Sequence, residues 1–123
     1  MNISKESITN FYLRHMRNGC FTPRVILNNG KSLSVQASEY HYCAPRRVCD
    51  YYYEVEVGFP DEAIVPLLQY AEDVDNPTDT VYPYVPIELV DEYITSCGGI
   101  HWELTKKRIA INNLKESERT LGL

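Results

Sequence analysis

The sequence has no apolar run long enough to cross a bilayer. Its first residues, Met1-Asn2-Ile3-Ser4-Lys5-Glu6, are polar where a secretion signal carries an apolar stretch. A cytoplasmic protein is therefore expected, with Cys20, Cys43, Cys49 and Cys97 as reduced thiols. Positive charge is in short supply: 12 Lys and Arg stand against 17 Asp and Glu, a formal net charge of −5. That balance argues against a surface built to coat duplex nucleic acid, which needs a cationic face. The acids are scattered in pairs, so mimicry of a nucleic acid is not favoured either. Glycine-rich phosphate loops are missing, since Gly98-Gly99 is an isolated pair that reads as a helix stop. Phe and Trp are scarce, three and one, whereas tyrosine reaches ten and supplies most of the aromatic surface. A flat apolar ring with a polar tip suits interfaces and ligand pockets as well as cores.

The 123 residues fit one domain with a core of its own. Ser4 to Asn18 reads as an amphipathic helix capped by Ser4, with Ile8, Phe11, Tyr12 and His15 on one face and Gly19 as its stop. Arg24 to Ala37 reads as a β-hairpin around Asn28-Asn29-Gly30, in which Leu33, Val35 and Ala37 alternate with Ser32, Ser34 and Gln36. Ser38 to Asp50 reads as a loop, and Tyr51 to Val57 as a strand with Tyr51, Tyr53, Val55 and Val57 on one face. A short helix is expected over Asp61 to Tyr70, a polar turn-rich stretch over Ala71 to Pro83, and a second helix over Val85 to Cys97. The stripe of that helix is Ile87, Val90, Tyr93, Ile94 and Cys97. Ile100 to Leu123 fits either helix or strand. The order implies an α+β domain, a small antiparallel sheet with helices packed on one side.

Few constellations carry chemistry. Cys43, Cys49, Cys97 and His101 have ligand types that suit zinc, but the tight Cys pairs of structural zinc sites are absent, and free thiols explain them as well. Cys43 with His41 has nucleophile and base types two residues apart, yet no orienting third group or oxyanion loop accompanies them. Glu54 and Glu56, like other carboxylate pairs here, read as a solvated face. Lys106-Lys107-Arg108, followed by Ile109 and Ile111, reads as a solvated helix face, a patch for a second subunit or a phosphate contact. One cluster points to a single ligand class: Arg24 opens the hairpin, and Arg46-Arg47 follow His41 and Tyr42. Guanidinium groups grip phosphate, tyrosine rings stack on bases, and Ser34, Gln36 and Ser38 supply directed hydrogen bonds. That combination suits a small phosphorylated nucleotide. No catalytic residues, metal or cofactor are expected.

Several runs also carry a family resemblance. They are Ser34-Val35-Gln36-Ala37-Ser38, His41-Tyr42-Cys43, Pro45-Arg46, Val55 to Pro60, Tyr70 to Asp73, Pro77 to Tyr82, Tyr84-Val85-Pro86 and Cys97 to Ile100. Over residues 22 to 100 the chain resembles a widespread group of small phage and prophage proteins, and among them the first-described Thoeris anti-defence family. The resemblance implies a homo-oligomeric sponge in the cytoplasm of an infected bacterium. Such a protein traps cyclic ADP-ribose-type signals made by bacterial TIR proteins and holds them uncleaved. Some members of that family also trap cyclic oligonucleotides, the CBASS class of signal. In this chain Arg24, Arg46 and Tyr82 are expected to hold phosphate and base, with Gln36, Ser38, His41 and Thr80 as polar contacts. The rival expectation is a protein-binding inhibitor of a host defence enzyme, of the anti-CRISPR type, suggested by the acidic balance and the tyrosines.

Overall fold

The alternation on either side of Asn28-Asn29-Gly30 closes into a hairpin. Strand β1 (Val25–Ile26) runs antiparallel to β2 (Ser32–Gln36), with Val25 opposite Leu33. Gly30 sits at φ +87°, where a side chain is penalised, and Asn29 Oδ1 accepts the Lys31 N–H to tighten the turn. β2 pairs with β3 (Glu54–Gly58) and β3 with β4 (Val81–Pro86), giving one antiparallel sheet in the order β1-β2-β3-β4. The computed structural model describes residues 6–107 and Leu114. The second-subunit patch and the segment Ile109 to Ile111 therefore lie wholly or partly outside the described residues, while residues 102–107 are helical.

Leu33, Val35, Val55, Val57, Tyr82 and Val85 line one face of the sheet and are fully buried. That face is covered by α1 (Ile8–Met16), α2 (Ile87–Ser96) and a 3-10 helix, Val65–Tyr70, which contribute Leu13, Leu67, Val90 and Ile94 to the same core. The expected small antiparallel sheet with helices on one side is thus the observed architecture. Ser34, Gln36, Glu54 and Glu56 alternate to the opposite face and are half-buried. α2 ends at Gly98-Gly99, both at positive φ, and docks on the hairpin turn through Asn28 N–H to Gly99 O (2.9 Å) and Asn28 Nδ2 to Gly98 O (2.7 Å).

Expectations for three elements are corrected. The first helix buries Thr9, Asn10, Tyr12 and Leu13, while Phe11 and His15 lie outside, stacked on each other at 3.9 Å. Polar partners set that rotation: Asp91 on α2 accepts from Thr9 N–H (2.9 Å), Thr9 Oγ1 (2.6 Å) and Ser7 Oγ (2.9 Å). A carboxylate at a helix N-terminus also opposes the helix dipole. The cap is Ser7, which accepts the Asn10 N–H at 3.1 Å; Ser4 lies outside the described residues.

The strand expected from Tyr51 begins at Glu54, and the tyrosines before it run in opposite phase. Tyr52 is buried, whereas Tyr51 is 67 % and Tyr53 76 % exposed. The alternation breaks at Tyr53, whose N–H turns to Ala44 O (2.8 Å) and whose carbonyl accepts from Ile87 (2.9 Å).

The largest omission is β4, which occupies residues expected as turn and helix start. Pro83 and Pro86 conceal it, because proline cannot donate to a ladder. β4 carries them as an edge strand with a bulge: three residue steps from Tyr82 to Val85 span the two from Val57 to Val55. Tyr84 is in that bulge at φ +54°.

Candidate functional site

The polar face of the sheet is covered by a loop instead of a helix. Residues Ser38 to Asp50 have little regular structure, yet almost every turn of the loop is tied down. Ala44 bridges to Glu54, its N–H donating to the Glu54 carbonyl at 3.0 Å. The Cys43 thiol donates to Ser38 O at 3.2 Å. Tyr52 acts as a peg: its hydroxyl donates to Arg47 O (2.7 Å) and accepts from Cys49 N–H (3.0 Å). Its own backbone is held in both directions by the Asn10 amide on α1, at 2.9 and 3.2 Å. Burial pushes the Tyr52 hydroxyl above its ordinary pKa, so the donated proton stays on it.

This frame lays Tyr42 across the sheet. The Tyr42 N–H donates to Glu56 Oε1 (3.1 Å), and the Tyr42 carbonyl accepts from Tyr84 N–H (3.1 Å) in the β4 bulge. The two rings lie 5.9 Å apart with a 47° tilt, both exposed. The Arg46 guanidinium sits 5.3 Å above the Tyr42 ring, and its Nε donates to Glu39 O at 3.2 Å. Below them His41 is buried, its Nδ1 2.7 Å from Ser38 Oγ and its ring meeting the edge of exposed Phe21 at 5.2 Å. Burial lowers the His41 pKa, Glu56 opposes the shift and Arg46 adds to it, which leaves the ring neutral near pH 7. The result is an exposed aromatic pair with one guanidinium over the Tyr42 ring and a carboxylate bonded to the Tyr42 backbone.

The structure separates the seven residues singled out in the sequence. Arg46 alone is exposed. Ser38 and His41 are buried as the footing of the loop. Gln36 is half-buried, its amide exchanging hydrogen bonds with the Thr22 backbone at 2.9 and 2.8 Å. Arg24 lies at the other end of the sheet and is already occupied. It donates to Ser32 Oγ (2.8 Å), Ser32 O (3.2 Å), Phe59 O and Asp61 Oδ1 (3.2 Å). Thr80 is buried and accepts the Asp73 N–H at 3.1 Å, closing the loop before β4. Tyr82 is in the core, its hydroxyl donating to Pro77 O. Arg24 is thus half-buried with its guanidinium engaged in an internal clamp, and the Tyr82 ring lies in the core. Tyr42, Tyr84, Glu56 and Phe21 stand at the face instead. Tyr42 and Phe21 were within reach of a sequence argument, as neighbours of Arg46 and the hairpin. Tyr84 was not, because its position depends on the unrecognised strand.

Cys43 and His41 do not pair: the thiol has one proton to give and faces two carbonyls, Ser38 O at 3.2 Å and Pro45 O at 3.3 Å, and the ring turns to Ser38. Burial also raises the Cys43 pKa, which disfavours the thiolate a nucleophile needs. All four cysteines are free, and among the described residues no three His, Cys, Asp or Glu are grouped to hold a metal ion. No helix among the described residues is long and apolar enough to cross a membrane. A separate cavity of about 260 Å³ lies between the 3-10 helix and α2, lined by Ile64, Leu67, Leu89 and Tyr93 among others. The hydroxyl of Tyr93 is already donated to Glu62 at 3.0 Å. No protein-family model matches the chain, and neither a curated protein nor a solved structure matches it.

Proposed function

We propose that the protein is a non-catalytic sponge that binds a phosphorylated nucleotide signal of the cyclic ADP-ribose type and withholds it from a bacterial defence system. The observation that carries this reading is the Arg46–Tyr42–Tyr84 cluster, one exposed guanidinium beside an exposed pair of rings. A base stacks on such rings, and a guanidinium fork meets phosphate oxygens. Glu56 supplies an acceptor for ribose hydroxyls or an exocyclic amine. Arg46, which acts on His41 together with Glu56, offsets that charge locally in a chain that is acidic as a whole. The protonated Cys43 and the neutral, engaged His41 support binding without cleavage. The family resemblance supplies the signal class and the setting, a phage protein in the cytoplasm of an infected bacterium, acting as a homo-oligomer.

The test is calorimetric titration with cyclic ADP-ribose isomers and cyclic di- and trinucleotides, followed by heat release and mass spectrometry of the ligand. Binding of a member with intact ligand released is the expected result. A changed product would make the protein an enzyme, and no binding to any member would remove the reading. Tyr40, Tyr51 and Tyr53, all more than two-thirds exposed, favour a second reading, an inhibitor that docks on a host enzyme through these rings. That reading gains ground if the chain binds no nucleotide and instead forms a stoichiometric complex with a purified defence nuclease.

A further inference from the structure

Among the described residues, only Phe59 and Tyr84 combine a side chain with a positive φ, +49° and +54°. There a Cβ crowds the backbone, whereas glycine adopts the conformation freely. Residues held in this region gather at functional sites, where the surrounding structure imposes the strain. The backbone at Tyr84 has a clear structural role, since it is part of the β4 bulge and sends its N–H to the Tyr42 carbonyl at 3.1 Å. That role uses main-chain atoms alone, and glycine would perform it with less strain. What glycine lacks is the ring. The ring is 41 % exposed, outside the apolar core, and its aromatic neighbour is the exposed Tyr42.

We propose that Tyr84 is the specificity-determining contact of the site, a strained residue whose ring, with that of Tyr42, receives the planar base of the ligand. This rests on the nucleotide-binding reading above and narrows it. The base is the group that the site selects, and Arg46 contributes phosphate affinity that any sugar phosphate shares. A ligand with phosphate and ribose but no base therefore binds poorly.

Three variants test this, with cyclic ADP-ribose as the probe and ribose 5-phosphate as the base-free control. Tyr84→Phe keeps the ring. Tyr84→Gly and Tyr84→Asn remove it, and both residue types tolerate positive φ, so a folding failure in one leaves the other. Affinity is read by calorimetry and the melting temperature by circular dichroism. Wild type is expected to bind cyclic ADP-ribose and to discriminate against ribose 5-phosphate by about tenfold or more, the worth of one stacked base. Tyr84→Phe stays within about threefold of wild type, while Tyr84→Gly and Tyr84→Asn lose about tenfold or more. Tyr84→Gly is also expected to melt no lower than wild type, through relief of strain. A ring-less variant that binds as wild type does would overturn the assignment and leave the sponge reading standing. A Tyr84→Gly protein that melts well below wild type overturns it too, by giving the ring a structural purpose. A wild-type chain that binds neither compound removes both.

Discussion

The two faces of this sheet are finished by different means. One is covered by helices and sealed with apolar side chains; the other is covered by a loop and tied with hydrogen bonds. Tyrosine serves on both sides in opposite ways. Tyr12, Tyr52 and Tyr82 are buried and use their hydroxyls to hold carbonyl groups, whereas Tyr42 and Tyr84 present their rings to solvent. Apolar burial gives stability that is non-directional and grows with area. Hydrogen bonds contribute less net energy each but fix geometry, which is what a binding surface needs. The comparison teaches that residue type alone does not locate a site in a tyrosine-rich chain; the covering on each face does.

The sharpest way to break the comparison is to treat a core tyrosine as if it were a site tyrosine. Tyr82→Ala is expected to cost about 3–5 kcal/mol in urea denaturation, the range for removing a large buried aromatic. A loss under about 1 kcal/mol would show that Tyr82 is not the core residue its burial implies.

Arg24→Met comes next. It removes the donor that ties Ser32, Phe59 and Asp61 together, for an expected loss of about 2 kcal/mol. The same clamp predicts an acid limb. Burial pushes the Asp61 carboxyl up, but the Ser32 hydroxyl and N–H and the Arg24 guanidinium outweigh it and hold the pKa below its ordinary value. A depressed carboxylate pKa stabilises the fold above the unfolded value of about 3.9 and loses that contribution as pH falls through the folded value. Stability should fall below about pH 4, and Asp61→Asn should flatten that limb.

Arg46→Ala tests the other face. Its stability should stay within about 0.5 kcal/mol of wild type, because the side chain is exposed and spends one donor on a loop carbonyl. Its affinity for the nucleotide probe should fall by about tenfold or more. If Arg46→Ala unfolds the protein while Arg24→Met abolishes binding, the assignment of the two arginines is reversed.

Periodicity made the hairpin, the α2 stripe and the glycine stop legible, since each is a local pattern whose buried face matches the sequence. What stayed hidden depended on distant partners. The rotation of α1 follows from Asp91, and the inverted phase of Tyr52 from Asn10. β4 was lost to the ordinary rule that proline breaks strands, which an edge strand with a bulge escapes. For the site, Arg46 was legible as an exposed loop cation beside tyrosines. The engagement of Arg24 was not, because it requires Asp61 and Phe59 to return beside β1. Tyr82 and Tyr84 differ by two positions, and strand alternation alone would place them on one face; the bulge separates them.

The smallest effect concerns His41, which carries the footing of the loop. In the unfolded chain an imidazole titrates near its ordinary value of about 6.5. In the folded protein burial is the main cause of a lower pKa, opposed by Glu56 and reinforced by Arg46. The unfolded state therefore binds more protons between the two values. By linkage, stability is full above about pH 6.5 and declines as pH falls toward the folded value, where the decline stops. This step begins at a higher pH than that of Asp61, which begins below about pH 4. His41→Gln removes the upper step and keeps a polar group to face Ser38. Because the loop that His41 supports also carries Arg46 and Tyr42, ligand affinity should hold across that window and fall only as pH nears the folded value, where the folded ring itself takes a proton, and this fall should be absent in His41→Gln. Melting curves between pH 5 and 8 that superimpose for wild type and His41→Gln would detach the buried histidine from the stability of the polar face.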